Sequence, residues 1–245
     1  VNVLPVRAGP QPQPQGRALI EALAAALVVT GGVTLASALL PAKYVATGVG
    51  FVFLAATWWL VWRRDDAYVQ RAGLAFAGLV LPGKVDARLT VSSSLRAIGW
   101  ALAFGAVTFV PFFFGWRAWW GPEGAFSLTP RLGDVANELV GQVVIIALPE
   151  EAFYRGYLQS RFDEVWPPRF KVAGAPIGPG IFVASAIFAL GHLATIHAPA
   201  RLAVFFPALL FGWLRARTGG VGASIAYHAL CNVFSEALGR GYGVY

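Results

Sequence analysis

The chain has no methionine, one cysteine and little charge: only 13% of its 245 residues are Asp, Glu, Lys or Arg. A soluble domain carries about 25%. Each scarcity excludes something. The single Cys231 rules out an intramolecular disulfide and any CxxC metal site. It lies inside an apolar run and reads as a small packing residue. The shortage of charge argues against a surface that faces water all round. In its place stand 57% hydrophobic residues and a mean hydropathy of +0.62, arranged as apolar runs with short polar breaks. The net charge of +7 could suggest nucleic acid. The basic residues, however, are scattered between apolar runs, as in loops held at the cytoplasmic face of a membrane. The expected partner is therefore the lipid bilayer, with no nucleic acid.

A helix needs about 20 mostly apolar residues to cross a bilayer. Runs at 18–40, 44–62, 97–116, 136–161, 177–196, 202–214 and 219–238 predict an all-α, polytopic transmembrane bundle of about seven spans. The stretch 202–214 is short for a span and would need snorkelling ends or local thinning. The run 72–82 is shorter still and reads as an interfacial or re-entrant piece. Residues 1–17, with Pro5, Pro10, Pro12 and Pro14, read as a disordered tail. The first apolar run has few basic residues before it and reads as a retained helix, not a signal peptide. With seven spans and an inside N-terminus, 14 Lys and Arg residues fall on the cytoplasmic side and 5 on the other. That is a positive-inside bias.

Ionisable residues inside apolar helices are expensive and mark function by default. Three groups qualify. The stretch PEEAFYRGY places Glu151 four residues before Arg155, the favourable order for an intrahelical ion pair. Glu150, about 100° round the helix, is less well placed to pair and is left to titrate. His192 follows Phe188 by four residues, on one helix face, and His228 precedes Asn232 by four. His197, beside Pro199, reads as a bystander. At ~1.5 Å per residue, Glu150, His192 and His228 all reach the middle third of the bilayer.

Other intramembrane chemistries lack their residues. The five aspartates, Asp65, Asp66, Asp86, Asp134 and Asp163, lie in loops or at helix ends, which disfavours an aspartyl pair. No HExxH string exists. The nearest serine motif, Gly222-Ala223-Ser224, is followed by Ile225. A carboxylate, two imidazoles and an amide remain. A Glu–His pair can hold water and take its proton, and a second His with an Asn can donate to an oxyanion. The same residues could also form a Glu–His–His zinc site, or serve packing alone in a membrane scaffold or immunity protein. A small transporter would need polar residues on more helices.

The order Glu150-Glu151-x-x-x-Arg155, Phe188-x-x-x-His192, His228-x-x-x-Asn232 resembles the CAAX protease and bacteriocin-processing (Abi) family of glutamic intramembrane proteases, including its myxosortase-like group. The resemblance covers roughly residues 135–238. It implies that Glu150 and His192 activate water and that His228 and Asn232 stabilise the oxyanion. Glu151, Arg155 and Phe188 fall to structural support, with no metal and no cofactor. The expected domains are thus 18–134 as N-terminal membrane helices, 135–238 as a catalytic membrane core and 239–245 as a C-terminal tail. The implied substrate is a membrane protein or lipidated peptide, prenylated or anchored at its C-terminus. The compact, Ala-, Gly- and Arg-rich chain fits a multi-pass protein of a bacterial inner membrane.

Overall fold

A computed structural model describes residues 15–80, 85–128 and 132–244. The tail expected over 1–17 lies outside these residues up to position 14, and Gln15 already opens the first helix. Helices α1 (Gln15–Leu39) and α2 (Ala42–Thr57) form a hairpin that turns at Pro41, the residue just before α2. A π-helical turn, Trp58–Trp62, extends α2. The short α3 (Asp66–Arg71) and the long α4 (Ala87–Trp120) each begin at an aspartate cap. Asp65 accepts from the Tyr68 backbone N–H, and Asp86 from that of Leu89, both at 2.9 Å. These satisfy donors that a helix start leaves unpaired. Gly121, at φ +53°, ends α4 in the left-handed conformation.

Helix α1 is built inside out relative to a soluble helix. Ala18, Ala22, Ala26, Val29 and Val33 form its buried stripe, while Ile20, Leu27, Val28 and Leu35 are exposed. Small residues let helix backbones approach, and large apolar residues facing outward suit lipid. Helix α4 repeats the pattern with buried Ala101 and Gly105 and exposed Leu102, Val107 and Phe114. Exposed Trp58, Trp59, Trp119 and Trp120 lie at the ends of α2 and α4, with the Arg63 guanidinium 4.1 Å from the Trp59 ring. Such rings mark headgroup level.

Three helices among the described residues are long and apolar enough to cross a bilayer: Gln15–Leu39, Ala42–Trp62 and Ala87–Trp120. They support a membrane-associated, multi-pass protein and overlap three of the runs read from sequence. The expectation of about seven spans is overturned. The run 132–165 is helical, but its second half carries Glu150, Glu151, Arg155, Arg161, Asp163 and Glu164. Helix α8 (Pro179–Thr195) has 17 residues. The stretch 202–214 starts in a 3₁₀ turn, Pro199–Val204, and continues as the 14-residue α9 (Phe205–Thr218). Helix α10 (Gly222–Gly241) carries His228, Asn232, Glu236 and Arg240. Apolar runs of this kind also serve as buried core helices. The 14-to-5 charge division presupposed seven crossings and goes with them.

The core forms where these shorter helices meet. Helix α10 packs along α4, with the Thr108 and Tyr227 hydroxyls 2.6 Å apart and Phe109 stacked on Phe234 at 4.3 Å. The run 72–82 is partly a plug: Ala72 and Leu74 are buried, Phe76–Gly78 makes a 3₁₀ turn, and 81 and 82 lie outside the described residues. Leu74 reaches the space beside Gly156, where a Cβ would stand 2.6 Å from Leu74 Cδ1. The fold also departs from all-α. Strands β1 (Phe170–Val172) and β2 (Ala175–Ile177) pair antiparallel through Ala173 and Gly174, both at positive φ. That is the backbone of a tight primed hairpin turn.

Candidate active site

The helical run 132–165 widens from α to π pitch twice. It begins as α5 (Leu132–Gly141), widens into a π segment (Gln142–Ala147), and tightens to one α turn, α6 (Leu148–Glu151). It then widens again over Ala152–Gln159 and closes as α7 (Ser160–Val165). The i→i+5 bonding of π segments is rare and clusters at functional sites. Glu150 and Glu151 sit in the short α turn between the two. Pro149 precedes them and has no N–H to donate to the preceding turn. Gly50 of α2 presses against this stretch: a Cβ at Gly50 would stand 2.6 Å from the Ile145 carbonyl oxygen.

Glu151 is fully buried and holds two partners with one oxygen. Its Oε1 lies 3.2 Å from Arg155 Nη1 and 2.9 Å from His228 Nδ1. A carboxylate can only accept, so the His228 ring donates from Nδ1. Arg155, also buried, donates from Nη2 to the Ala208 carbonyl at 3.0 Å, and its guanidinium lies 4.6 Å from the Phe188 ring and 5.1 Å from Phe211. The buried cation is thus paired, hydrogen-bonded and faced by two aromatic rings, the conditions under which a buried charge is tolerated.

His228 is clamped between those rings. It stacks on Phe211 at 4.6 Å and 14° and meets Phe188 edge-on at 5.9 Å. Its Nε2 then lies 4.0 Å from Glu150 Oε2. That oxygen is buried and has no hydrogen-bond partner among the described residues. Glu151 Oε2 is likewise buried without a hydrogen-bond partner among the described residues, so the two carboxylates differ in what they hold: Glu151 Oε1 is committed to Arg155 and His228, and Glu150 faces the far nitrogen of His228.

His192 reaches the cluster from α8. Its ring lies 4.4 Å from Phe188, and its Nδ1 donates to the Phe188 carbonyl at 3.0 Å. A carbonyl only accepts, so Nδ1 carries a proton, and Nε2 is the ring nitrogen left outside this contact. Phe188 thus borders both imidazoles. The structure brings Glu150 within 4.0 Å of His228; its contacts for His192 are with Phe188. Asn232, one turn beyond His228, donates from Nδ2 to Gln142 Oε1 at 2.9 Å.

Sequence reasoning passed over several residues here. Gln142 and Phe211 contact site residues directly. Gln159 and Ser224 are buried cross-links, donating to the Gly212 carbonyl at 3.1 Å and the Phe211 carbonyl at 2.8 Å. A polar uncharged residue inside an apolar run was the available signal for Gln142, Gln159 lies among charged residues and left none, and Ser224 drew notice only as part of a serine motif. Phe211 left no signal that separates it from other core aromatics. Among the described residues, no three His, Cys, Asp or Glu side chains are grouped so as to hold a metal ion.

No curated protein and no solved structure matches the chain. A family model does match part of it. Glu150, Glu151, Arg155, Phe188, His192, His228 and Asn232 all fall within the matched stretch, while α1, α2 and α4 lie outside it. Over residues 134–234 the chain is similar to the family model described as type II CAAX prenyl endopeptidase Rce1-like.

Proposed function

We propose that the protein is a glutamate-dependent intramembrane endopeptidase that needs no metal. In this reading it cleaves membrane proteins or lipidated peptides that are prenylated or anchored at the C-terminus. The carrying observation is the division within the acid pair: Glu151 Oε1 is bound by Arg155 and by His228 Nδ1, while Glu150 turns a buried oxygen toward His228 Nε2 at 4.0 Å.

Glu150 is the base that takes a proton from water, assisted by Nε2 of His192. The hydroxide adds to the scissile carbonyl, and Glu150 returns the proton to the departing amine. The oxyanion is stabilised by His228 Nε2 and Asn232 Nδ2. His228 reaches the site with Nε2, because its Nδ1 is taken by Glu151. Glu151, Arg155 and Phe188 hold that ring in place. The domain type matched over 134–234 supports the reaction class and the prenylated substrate, and the three apolar helices support the membrane setting.

The test is hydrolysis of an internally quenched, farnesylated CAAX peptide by the full chain in liposomes. The wild type cleaves it in the presence of a strong chelator, and Glu150→Gln does not. Equal cleavage by Glu150→Gln overturns the reading in favour of packing. Activity lost to chelation and restored by zinc overturns its metal independence.

A further inference from the structure

The mechanism asks Asn232 to present an N–H, yet a side-chain amide has two ends. Turned one way it offers N–H groups; turned the other it offers a carbonyl that repels an oxyanion. Something must choose. Gln142 is the polar first residue of the π segment, followed by Val143, Val144, Ile145, Ile146 and Ala147. Its Oε1 accepts from Asn232 Nδ2 at 2.9 Å, joining residues 90 positions apart in sequence. Gln142 also lines a cleft of about 600 Å³, together with Asp134, Glu138, Glu236 and Arg240. It thus touches both that cleft and Asn232.

We infer that Gln142 is a positioning residue that locks the Asn232 amide, holding one Nδ2 hydrogen so that the second stays available to the oxyanion. This rests on the assignment of Asn232 as an oxyanion donor. Asn232 Nδ2 has two hydrogens, and Gln142 takes one. Rotating the Asn232 amide alone would set its carbonyl against the Gln142 oxygen, acceptor against acceptor; the bond survives a flip only if both amides turn together. The π segment contributes by setting where Gln142 emerges: re-forming regular α turns through 142–147 would rotate its side chain relative to Glu150.

Two readouts separate this from a packing role. The first is hydrogen exchange at the Asn232 side-chain amide, followed by NMR in the full chain labelled at asparagine. The second is turnover on the farnesylated CAAX peptide. Gln142→Met keeps length and removes the acceptor. It should speed amide exchange and lower kcat about fivefold at unchanged KM, the scale of one hydrogen bond. Gln142→Glu keeps the acceptor and should restore slow exchange. Gln142→Asn, one methylene short, is a second disrupting variant if Gln142→Met folds poorly. In an Asn232→Ala background, Gln142→Met should lower turnover no further, because its effect runs through Asn232. Unchanged exchange in both disrupting variants, or full additivity with Asn232→Ala, overturns the inference. Exchange needs no turnover, so its outcome is independent of the protease reading, which falls separately if Glu150→Gln cleaves normally.

Discussion

The outer helices and the inner cluster solve opposite problems. In α1 and α4, mostly small residues face the protein and large apolar ones face outward, and the polar contacts among the described residues are few, chiefly Glu21–Arg161 and Thr108–Tyr227. In the cluster around Glu151, charged groups lie at the centre and aromatic rings wall them in. Lipid offers helices no hydrophobic reason to associate. The outer helices rely on close approach, whereas the inner ones are tied by ion pairs and hydrogen bonds such as Glu151–His228 and Gln159–Gly212. Away from Glu21 and Thr108, a change in the first region should act through shape. A change in the second should act through charge, and there stability and turnover can be separated.

The sharpest separation lies between adjacent carboxylates. Glu150→Gln is nearly isosteric and leaves Arg155 and His228 with their partner. Protein level and melting temperature should stay near wild type while hydrolysis falls by about 10²–10⁴, the contribution of a positioned base. Glu151→Ala strands both Arg155 and His228, and breaking a buried pair costs about 3–5 kcal/mol. Its abundance in the membrane should fall, with activity falling alongside. Side-by-side measurement of protein level, melting temperature and cleavage checks both. A folded but inactive Glu151→Ala beside an active Glu150→Gln would reverse the roles.

Asn232→Ala probes the far side of the site. Losing one oxyanion donor lowers turnover by about 10²–10³. Steady-state kinetics should show the loss in kcat. A rise in KM alone would make Asn232 a tie between α10 and the π segment and nothing more.

How much of this was readable depends on the separation of the partners. The Glu151–Arg155 spacing is local, four residues on one helix, and periodicity alone suggests it. The bond from Glu151 to His228 joins positions 77 apart and depends on how α6 and α10 cross. No spacing rule reaches that far. The placement of Glu150 was argued from 100° per residue on a uniform helix. The actual helix carries π segments on both sides of the acid pair, and π geometry leaves no compositional mark. The extra spans were misjudged for a related reason. Runs such as 177–196 and 219–238 are apolar enough to sit in a core, but hydropathy counts residues without asking whether lipid or other helices surround them. Gln142 was missed because uncharged polar residues were given less weight than ionisable ones.

The smallest expected effect tests shape against the same backbone chemistry in both regions. Gly50 and Gly115 both lie inside helices, and replacing Gly with Ala in a helix interior gains about 1 kcal/mol from propensity alone. Around Gly115 of α4 there is open space for a Cβ, so Gly115→Ala should be neutral or slightly stabilising. At Gly50 the new Cβ would lie 2.6 Å from the Ile145 carbonyl oxygen, a backbone atom that cannot swing aside. Helix α2 must then move away from the stretch that leads into Pro149, Glu150 and Glu151. Overpacking of this kind costs about 1–3 kcal/mol, which outweighs the propensity gain and reverses the sign. Thermal unfolding of the two variants in the same detergent checks the difference. Because the displaced carbonyl is five residues before Glu150, Gly50→Ala should also lower turnover in protein that remains folded, while Gly115→Ala leaves it unchanged. Equal melting temperatures and equal turnover would show that α2 is a lipid-facing wall with no grip on the acid pair.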